Sequence, residues 1–307
     1  MRRTSWPLAI AGLSLLALPA LADQAPADPV ARCKALFPIS TAADSQAAGG
    51  FRVAEVEAIG DTGCRYTNLR IAPDSHQAWT VGSLTIDRID FKRAEAGELP
   101  LTASLRAEDI RFSPNVPDAA FQYQMRLVQK PIELALDYDF DTATKILTIR
   151  DFTLQGPAIG HLGLTVAMGG FDPDAVDFSS PPAEKALAAL TLNGLTLDFE
   201  NKGLIEGYAL LPALYVLPNG SEDPEGAIAA AKGQAMAALA TLAGGVPKDT
   251  LTALGRFIQD LPQPKGRLQL AFKPQQPVAL AEVAAIETGG PAAVTALLKR
   301  LNLTASY

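Results

Sequence analysis

Histidine and cysteine are scarce in this 307-residue chain, which contains two residues of each. The histidines, His76 and His161, stand in no H-E-x-x-H or H-x-H cluster, so we expect no metal site. The sequence also lacks a G-x-S-x-G elbow, a P-loop and a G-x-G-x-x-G fingerprint after a strand. We therefore expect no cofactor and identify no catalytic residue, and these absences favour a protein that is not an enzyme.

Basic residues are outnumbered in the sequence. The chain has 26 Lys and Arg against 33 Asp and Glu, and its formal net charge at pH 7 is −7. Proteins that bind nucleic acid need clustered Lys and Arg to displace counterions from phosphates. No run of five basic residues occurs, so we expect no nucleic-acid partner.

Long apolar runs are also missing, apart from one near the start of the chain. Met1-Arg2-Arg3 precedes an apolar stretch from residue 8 to residue 18, and the small residues Ala20 and Ala22 follow it. This order is typical of a secretory signal peptide, and we predict cleavage after Ala22 and a periplasmic location. An uncleaved membrane anchor is the alternative. Because no other segment reaches eighteen apolar residues, we expect no transmembrane segment in the mature chain.

The two cysteines, Cys33 and Cys64, both lie beyond the predicted cleavage site. Exported proteins with an even number of cysteines usually oxidise them to disulfides. A bond between these two would close a loop of about 30 residues and contribute roughly 3 kcal/mol. The alternatives are a redox pair, which favours C-x-x-C spacing, and a metal site, which needs more ligands. We predict a structural disulfide.

One apolar pattern recurs between residues 51 and 200. Two apolar residues separated by one position are followed by two polar positions and two further apolar residues, as in Leu84-x-Ile86-x-x-Ile89-x-Phe91. Alternation places side chains on one face of a strand, and a bulge that absorbs the extra residue keeps both halves on that face. A short amphipathic helix is the alternative. The copies begin at Cys64, Leu84, Leu105, Leu147 and Leu190, with a weaker copy at Phe51.

The spacing of these copies predicts the architecture. Their starts are about 21 residues or twice that apart, and simple alternating strands fill the gaps. We predict an α+β protein in which a long, bulged antiparallel β-meander is packed by Ala-rich C-terminal helices. Its segments are a signal peptide (1–22), an N-terminal segment with a short helix (23–50), the β region (51–200) and a mainly helical region (201–307). Within the last segment, residues 266–272 and 302–307 are expected to be strands.

Two groups of aspartates offer oxygen ligands that a calcium ion would accept. Neither group has the spacing of a calcium-binding loop, and aspartate also stabilises turns by bonding to nearby backbone groups. We interpret both as turn residues. The groups are Asp137, Asp139 and Asp141, and Asp172, Asp174 and Asp177.

The strand motif resembles stretches of AsmA-like and YdgA-like bacterial envelope proteins over residues 60–205. Two further segments are similar to uncharacterised exported proteins of alphaproteobacteria. These are Leu197-Asp198-Phe199-Glu200-Asn201-Lys202-Gly203-Leu204, and Gly266-Arg267-Leu268-Gln269-Leu270 with the residues that follow it to 305. The resemblance implies an envelope protein and assigns a role to no residue.

The function expected from the sequence is therefore that of a non-enzymatic envelope protein. A long sheet with one apolar face and no catalytic motif favours binding of a lipid or another apolar ligand. A structural or interaction module in envelope assembly, with a protein partner, is the second hypothesis. A carboxylate-based hydrolase is the third, and it would require two facing acidic side chains.

Overall fold

The computed structural model describes residues 28–36, 50–72, 78–112, 118–175, 189–220, 222–284 and 286–307. The predicted signal peptide and its cleavage site lie outside the described residues, as do His76 and Asp177.

Within these ranges, twelve strands form one sheet in which every pair is antiparallel. The prediction of an antiparallel sheet in an α+β protein is confirmed. The strands are β1 (Gly50–Arg52), β2 (Glu55–Ile59), β3 (Gly63–Ala72), β4 (Trp79–Ile89), β5 (Thr102–Phe112), β6 (Ile132–Asp141), β7 (Ile146–Gly156), β8 (Gly160–Gly169), β9 (Thr191–Asn201), β10 (Arg267–Phe272), β11 (Val278–Ala279) and β12 (Leu303–Ser306).

The long central strands lie side by side in chain order. Strands β3 to β9 are successive neighbours, β10 pairs with β9, and β12 pairs with β10. Strands β1 and β2 both pair with β3 at one edge, and β11 pairs with the start of β9. We call the end of the sheet where β3 begins and β4 ends the disulfide end, and the opposite end the distal end.

Helices connect the strands and pack on one face of this sheet. In the described part of the chain they are α1 (Pro29–Ala35), α2 (Phe91–Glu95), α3 (Ala119–Val128), α4 (Leu210–Val216), α5 (Pro224–Thr241), α6 (Lys248–Asp260), α7 (Leu280–Ala284) and α8 (Ile286–Leu301). A π-helical turn (Ile205–Ala209) precedes α4, and a 3₁₀ turn (Pro173–Ala175) follows β8. Helix α8 is kinked at Gly290. The N-terminal end of α5 is capped by Asp223, whose carboxylate accepts from the Gly226 amide at 2.9 Å.

The recurring motif places an irregularity at the centre of each strand that carries it. The two polar positions of the motif fall where the pairing register shifts in β4, β5, β7 and β9. In β3 and β5 the second polar residue has a positive φ, 54° at Asn68 and 53° at Asp109. Each irregularity removes one residue from the alternation, so the apolar residues on both sides of it share one face.

Two short helices interrupt the region where only strands were predicted. Phe91, which the motif assigned to a strand, begins α2, because the Asp90 carboxylate accepts from the Arg93 amide. The Asp118 carboxylate likewise accepts from the amides of Ala120 and Phe121 at the start of α3. Both aspartates occupy the N-cap position, where a side-chain acceptor satisfies amides that have no partner inside the helix.

The disulfide end contains the largest buried cluster. There α1 and α2 lie on the apolar face of β3 to β7, and Cys33 and Leu36 pack with Tyr66, Ile86 and residues of the neighbouring strands. A second cluster joins α8 and β11 to β8 and β9 through Leu297, Leu301, Val278, Val166 and Leu192. Helices on the two sides therefore cover separate parts of the same face.

Gly160, the first residue of β8, lies close to β9, and we predict that this position tolerates no side chain. Its φ is +92°, and a Cβ atom there would lie 1.9 Å from the carbonyl oxygen of Glu200. We expect Gly160→Ala to lower the free energy of unfolding by at least about 2 kcal/mol, measured by urea denaturation. Gly233→Ala in α5 is the control, because no atom lies within 4 Å of its Cβ position and alanine favours a helix. Equal stability of the two variants would contradict this account.

Candidate functional site

Three parallel rows of apolar side chains cross the face of the sheet on which the helices lie. In each row, the directly opposed residues of successive strands are apolar from one side of the sheet to the other. The first row is Tyr66, Leu84, Ala107, Leu134, Leu154, Leu162, Phe199 and Leu268. The second is Cys64, Ile86, Leu105, Leu136, Phe152, Leu164, Leu197, Leu270 and Ala305. The third is Ile89, Ala103, Tyr138, Ile149, Val166, Leu195, Phe272 and Leu303.

In the first two rows, buried residues stand near both sides of the sheet, whereas the central residues are partly exposed. Tyr66 and Cys64 at one side and Leu268 at the other are buried. In the middle of these two rows lie five residues of intermediate exposure that belong to none of the three buried clusters, and the same is true of Phe199 and Leu270 beside Leu268. We call these five the apolar strip, and they are Phe152, Leu154, Leu162, Leu164 and Leu197.

The helices flank the apolar strip on two sides. Helices α1 and α2 pack at the disulfide end over β3 to β7. Helix α6 covers the opposite side, where the ring of Phe257 lies 6.2 Å from that of Phe199 and 5.6 Å from that of Tyr307. Helix α6 also binds the last strand, because the Ala305 amide donates to the Thr250 hydroxyl. The strip therefore lies between the part of the apolar face that α1 and α2 cover and the part that α6 covers.

The second face of the sheet is polar and carries cross-strand ion pairs. Asp137 accepts from Arg150 at 2.6 Å and from Arg88 at 3.5 Å, and Arg150 also lies 3.5 Å from Asp139. On β9, hydrogen bonds from Arg267 hold the pKa of the Asp198 carboxyl below its usual range. His161, the second residue of β8, is paired with Glu200 of β9. These contacts are those of a solvated charged surface.

The turn interpretation is confirmed for Asp141 and Asp172, but it is wrong for Asp137 and Asp139, which lie within β6 and pair with Arg150 across the strands. Asp141 accepts from the amides of Ala143 and Thr144 and from the Thr144 hydroxyl, which lowers the pKa of its carboxyl. Asp172 accepts from the Asp174 amide, and Asp174 pairs with Arg93 at 2.5 Å. Among the described residues, no three His, Cys, Asp or Glu side chains are arranged to hold a metal ion.

A hydrolase with paired carboxylates needs one that stays protonated near neutral pH, as a proton donor. The shifted carboxyl pKa values in the described chain, those of Asp141, Asp198 and Glu282, are all lowered. The causes are hydrogen bonds from Thr144, Arg267 and Arg300, respectively. Each of these groups is held in its charged form, which does not suit a general acid.

The predicted disulfide is present. Cys33 of α1 is bonded to Cys64 at the start of β3, and their Cα atoms are 5.6 Å apart. The Tyr66 hydroxyl donates to the Cys33 carbonyl oxygen at 2.6 Å, and burial raises the pKa of this phenol. Both cysteines are almost completely buried, so the bond is a structural element of the core.

None of the helices described here is both long enough and apolar enough to cross a bilayer. A search of curated proteins found no match to the chain. A family model described as "Uncharacterized protein" matches residues 153–307, from the middle of β7 to the end of β12. These comparisons give no support to the AsmA-like or YdgA-like resemblance. The matched region is slightly more than half of the 307 residues, and the chain therefore belongs to this family of uncharacterized proteins.

Proposed function

We propose that this protein is a non-enzymatic, periplasmic envelope protein that binds the acyl chain of a lipid on the apolar strip. The observation that carries the proposal is the strip itself, five large apolar side chains that are partly exposed and lie outside the buried clusters of the sheet face. Exposed apolar surface of this kind, bounded by helices, is a common form of ligand site.

The shape of the strip suits an extended hydrocarbon chain. With Leu134 and Leu136 of β6, the two rows cross four neighbouring strands, which lie about 4.8 Å apart. This apolar surface is therefore about 14 Å long and two side chains wide, and no polar side chain interrupts it. Each methylene group that leaves water on such a surface contributes about 0.8 kcal/mol to binding.

The periplasmic location is part of the proposal. It rests on the order of charges and apolar residues before Ala22 and on the disulfide, which forms in oxidising compartments. A protein of the envelope would meet lipids there. Interaction with a protein partner instead of a lipid is the competing function, and the experiment below separates the two.

The test is lipid extraction and native mass spectrometry of the protein purified from the periplasm of its own source. We expect lipid with the wild-type protein and at least about tenfold less with Leu164→Arg, because a cation would occupy the apolar strip. The matched control is Thr165→Arg, the next residue of β8, whose exposed side chain is on the polar face. Thermal unfolding would show whether each variant is folded.

Leu162→Ser is a milder second variant in case Leu164→Arg does not fold. The proposal is wrong if the wild-type protein carries no lipid, or if both strip variants retain as much lipid as Thr165→Arg. A wild-type protein that carries no lipid but is crosslinked in cells to one protein would support the interaction module.

A further inference from the structure

Eight large apolar side chains are exposed on two helices and one turn. Their exposed fractions range from 36% for Phe121 to 73% for Tyr215. Four lie on α3, one on the π-helical turn and three on α4, and none belongs to a buried cluster. We call them the distal rim, and they are Phe121, Tyr123, Leu127, Val128, Tyr208, Leu211, Tyr215 and Val216.

Topology places both helices at the same end of the sheet. Helix α3 connects the end of β5 to the start of β6, and Phe112 of β5 is paired with Trp79, the first residue of β4. The π-helical turn and α4 follow the end of β9, where Asn201 is paired with Gly160, the first residue of β8. All four strand ends lie at the distal end. The first apolar row, with Leu154 and Leu162, is the one nearer that end.

The charges of these two helices differ from those of the whole chain. The chain has 33 acidic residues, but neither Ala119–Val128 nor Leu210–Val216 contains one. Helix α3 carries Arg126, and Lys130 follows it. The one acidic residue of the π-helical turn, Glu206, accepts from the Asn201 side chain at 2.9 Å. The two helices themselves therefore contain no carboxylate that an anionic surface would repel, and the carboxylates next to them are Glu206 and the N-cap Asp118.

We propose that the distal rim inserts into the surface of a lipid bilayer and turns the distal end of the apolar strip towards the membrane. A tyrosine ring has an apolar body and a polar hydroxyl, which suits the boundary between headgroups and acyl chains. Three of the eight rim residues are tyrosines, and the others are phenylalanine or aliphatic. Helices of ten and seven residues are too short to span a bilayer, so insertion is shallow.

This inference rests on the proposed function for the identity of the ligand. The lipid bound on the strip and the lipid of the membrane would belong to the same class. Two helices from distant parts of the chain present apolar side chains at the end of the sheet that is nearer to Leu154 and Leu162 of the strip. A lipid could then move between bilayer and strip with little exposure of its acyl chain to water.

The test is flotation of the folded protein with vesicles of phosphatidylethanolamine and phosphatidylglycerol. We expect the wild-type protein to bind, and Leu127→Glu combined with Leu211→Glu to reduce the bound fraction at least about tenfold. Both positions are 61% exposed, so the charges should not disturb folding. The control is Ser83→Glu combined with Thr165→Glu, which adds the same charge on the polar face and should bind like the wild-type protein.

Lipid extraction of the same samples separates this inference from the proposed function. If the rim variant keeps its extracted lipid but no longer floats, both proposals stand. If the wild-type protein carries lipid but does not float, the membrane surface is excluded and the lipid site stands. A wild-type protein that does not float but forms a dimer sensitive to the same two changes would also overturn the inference, in favour of a protein interface.

Discussion

Replacing Tyr66 by alanine is expected to lower the free energy of unfolding by about 4 kcal/mol. Tyr66 is completely buried, and its ring lies in the main cluster with Cys33, Leu36 and Ile86. Truncation would leave a cavity between α1 and the sheet and would also leave the Cys33 carbonyl oxygen without its phenol donor. The measurement is urea denaturation monitored by circular dichroism under oxidising conditions.

Tyr66→Phe is the control that separates packing from hydrogen bonding. It keeps the ring and removes the hydroxyl, so we expect a loss of only about 1 to 2 kcal/mol. A phenylalanine variant as unstable as the alanine variant would show that the hydrogen bond to Cys33 dominates. An alanine variant as stable as the wild-type protein would show that this cluster does not limit the stability of the fold.

Replacing both cysteines by serine is expected to cost about 3 kcal/mol. The bond joins residues 31 positions apart, and without it the unfolded chain gains conformational freedom. Helix α1 would still be held by an ion pair between Arg32 and Glu95 at 3.1 Å and by the Arg32 guanidinium over the Phe91 ring. We therefore expect a folded but less stable protein, with a lower midpoint of thermal unfolding.

A reductant provides the control for this prediction. It should lower the midpoint of the wild-type protein to nearly that of Cys33→Ser combined with Cys64→Ser, and should leave the double variant unchanged. A double variant that unfolds at the wild-type temperature would contradict the prediction. A variant that responds to reductant would indicate that the reagent acts on something other than this bond.

The sequence was most informative where the physical signal is local. An alternating apolar pattern that is interrupted by two polar positions is visible within eight residues. It predicted strands with central irregularities such as those near Asn68 and Asp109. Asp223 before Pro224 at the start of α5 is a signal of the same local kind. The short helices α2 and α3 were missed, although Asp90 and Asp118 are ordinary N-cap residues, because the apolar pattern around them was assigned to strands and loops.

The candidate site depends on contacts that no local pattern encodes. The alternation predicts that Phe152 and Leu164 share an apolar face, but their pairing depends on the register between β7 and β8. Whether that face is covered depends on where α6 places Phe257, more than fifty residues beyond β9. The distal rim had a visible signal, the apolar positions of Ala119–Val128 after Asp118, but its exposure follows only from the tertiary packing.

The unequal lengths of the strands also affect how copies of this protein behave at high concentration. The interior strands β3 to β9 have ten or eleven residues, whereas β1 and β2 at one edge have three and five, and β12 at the other has four. An incoming strand would find few free backbone groups at either edge, and the Ala305 amide is already occupied by Thr250. Short, capped edges hinder the strand-to-strand growth that leads to fibrils. The sides of the sheet are thus poorly suited to polymerisation.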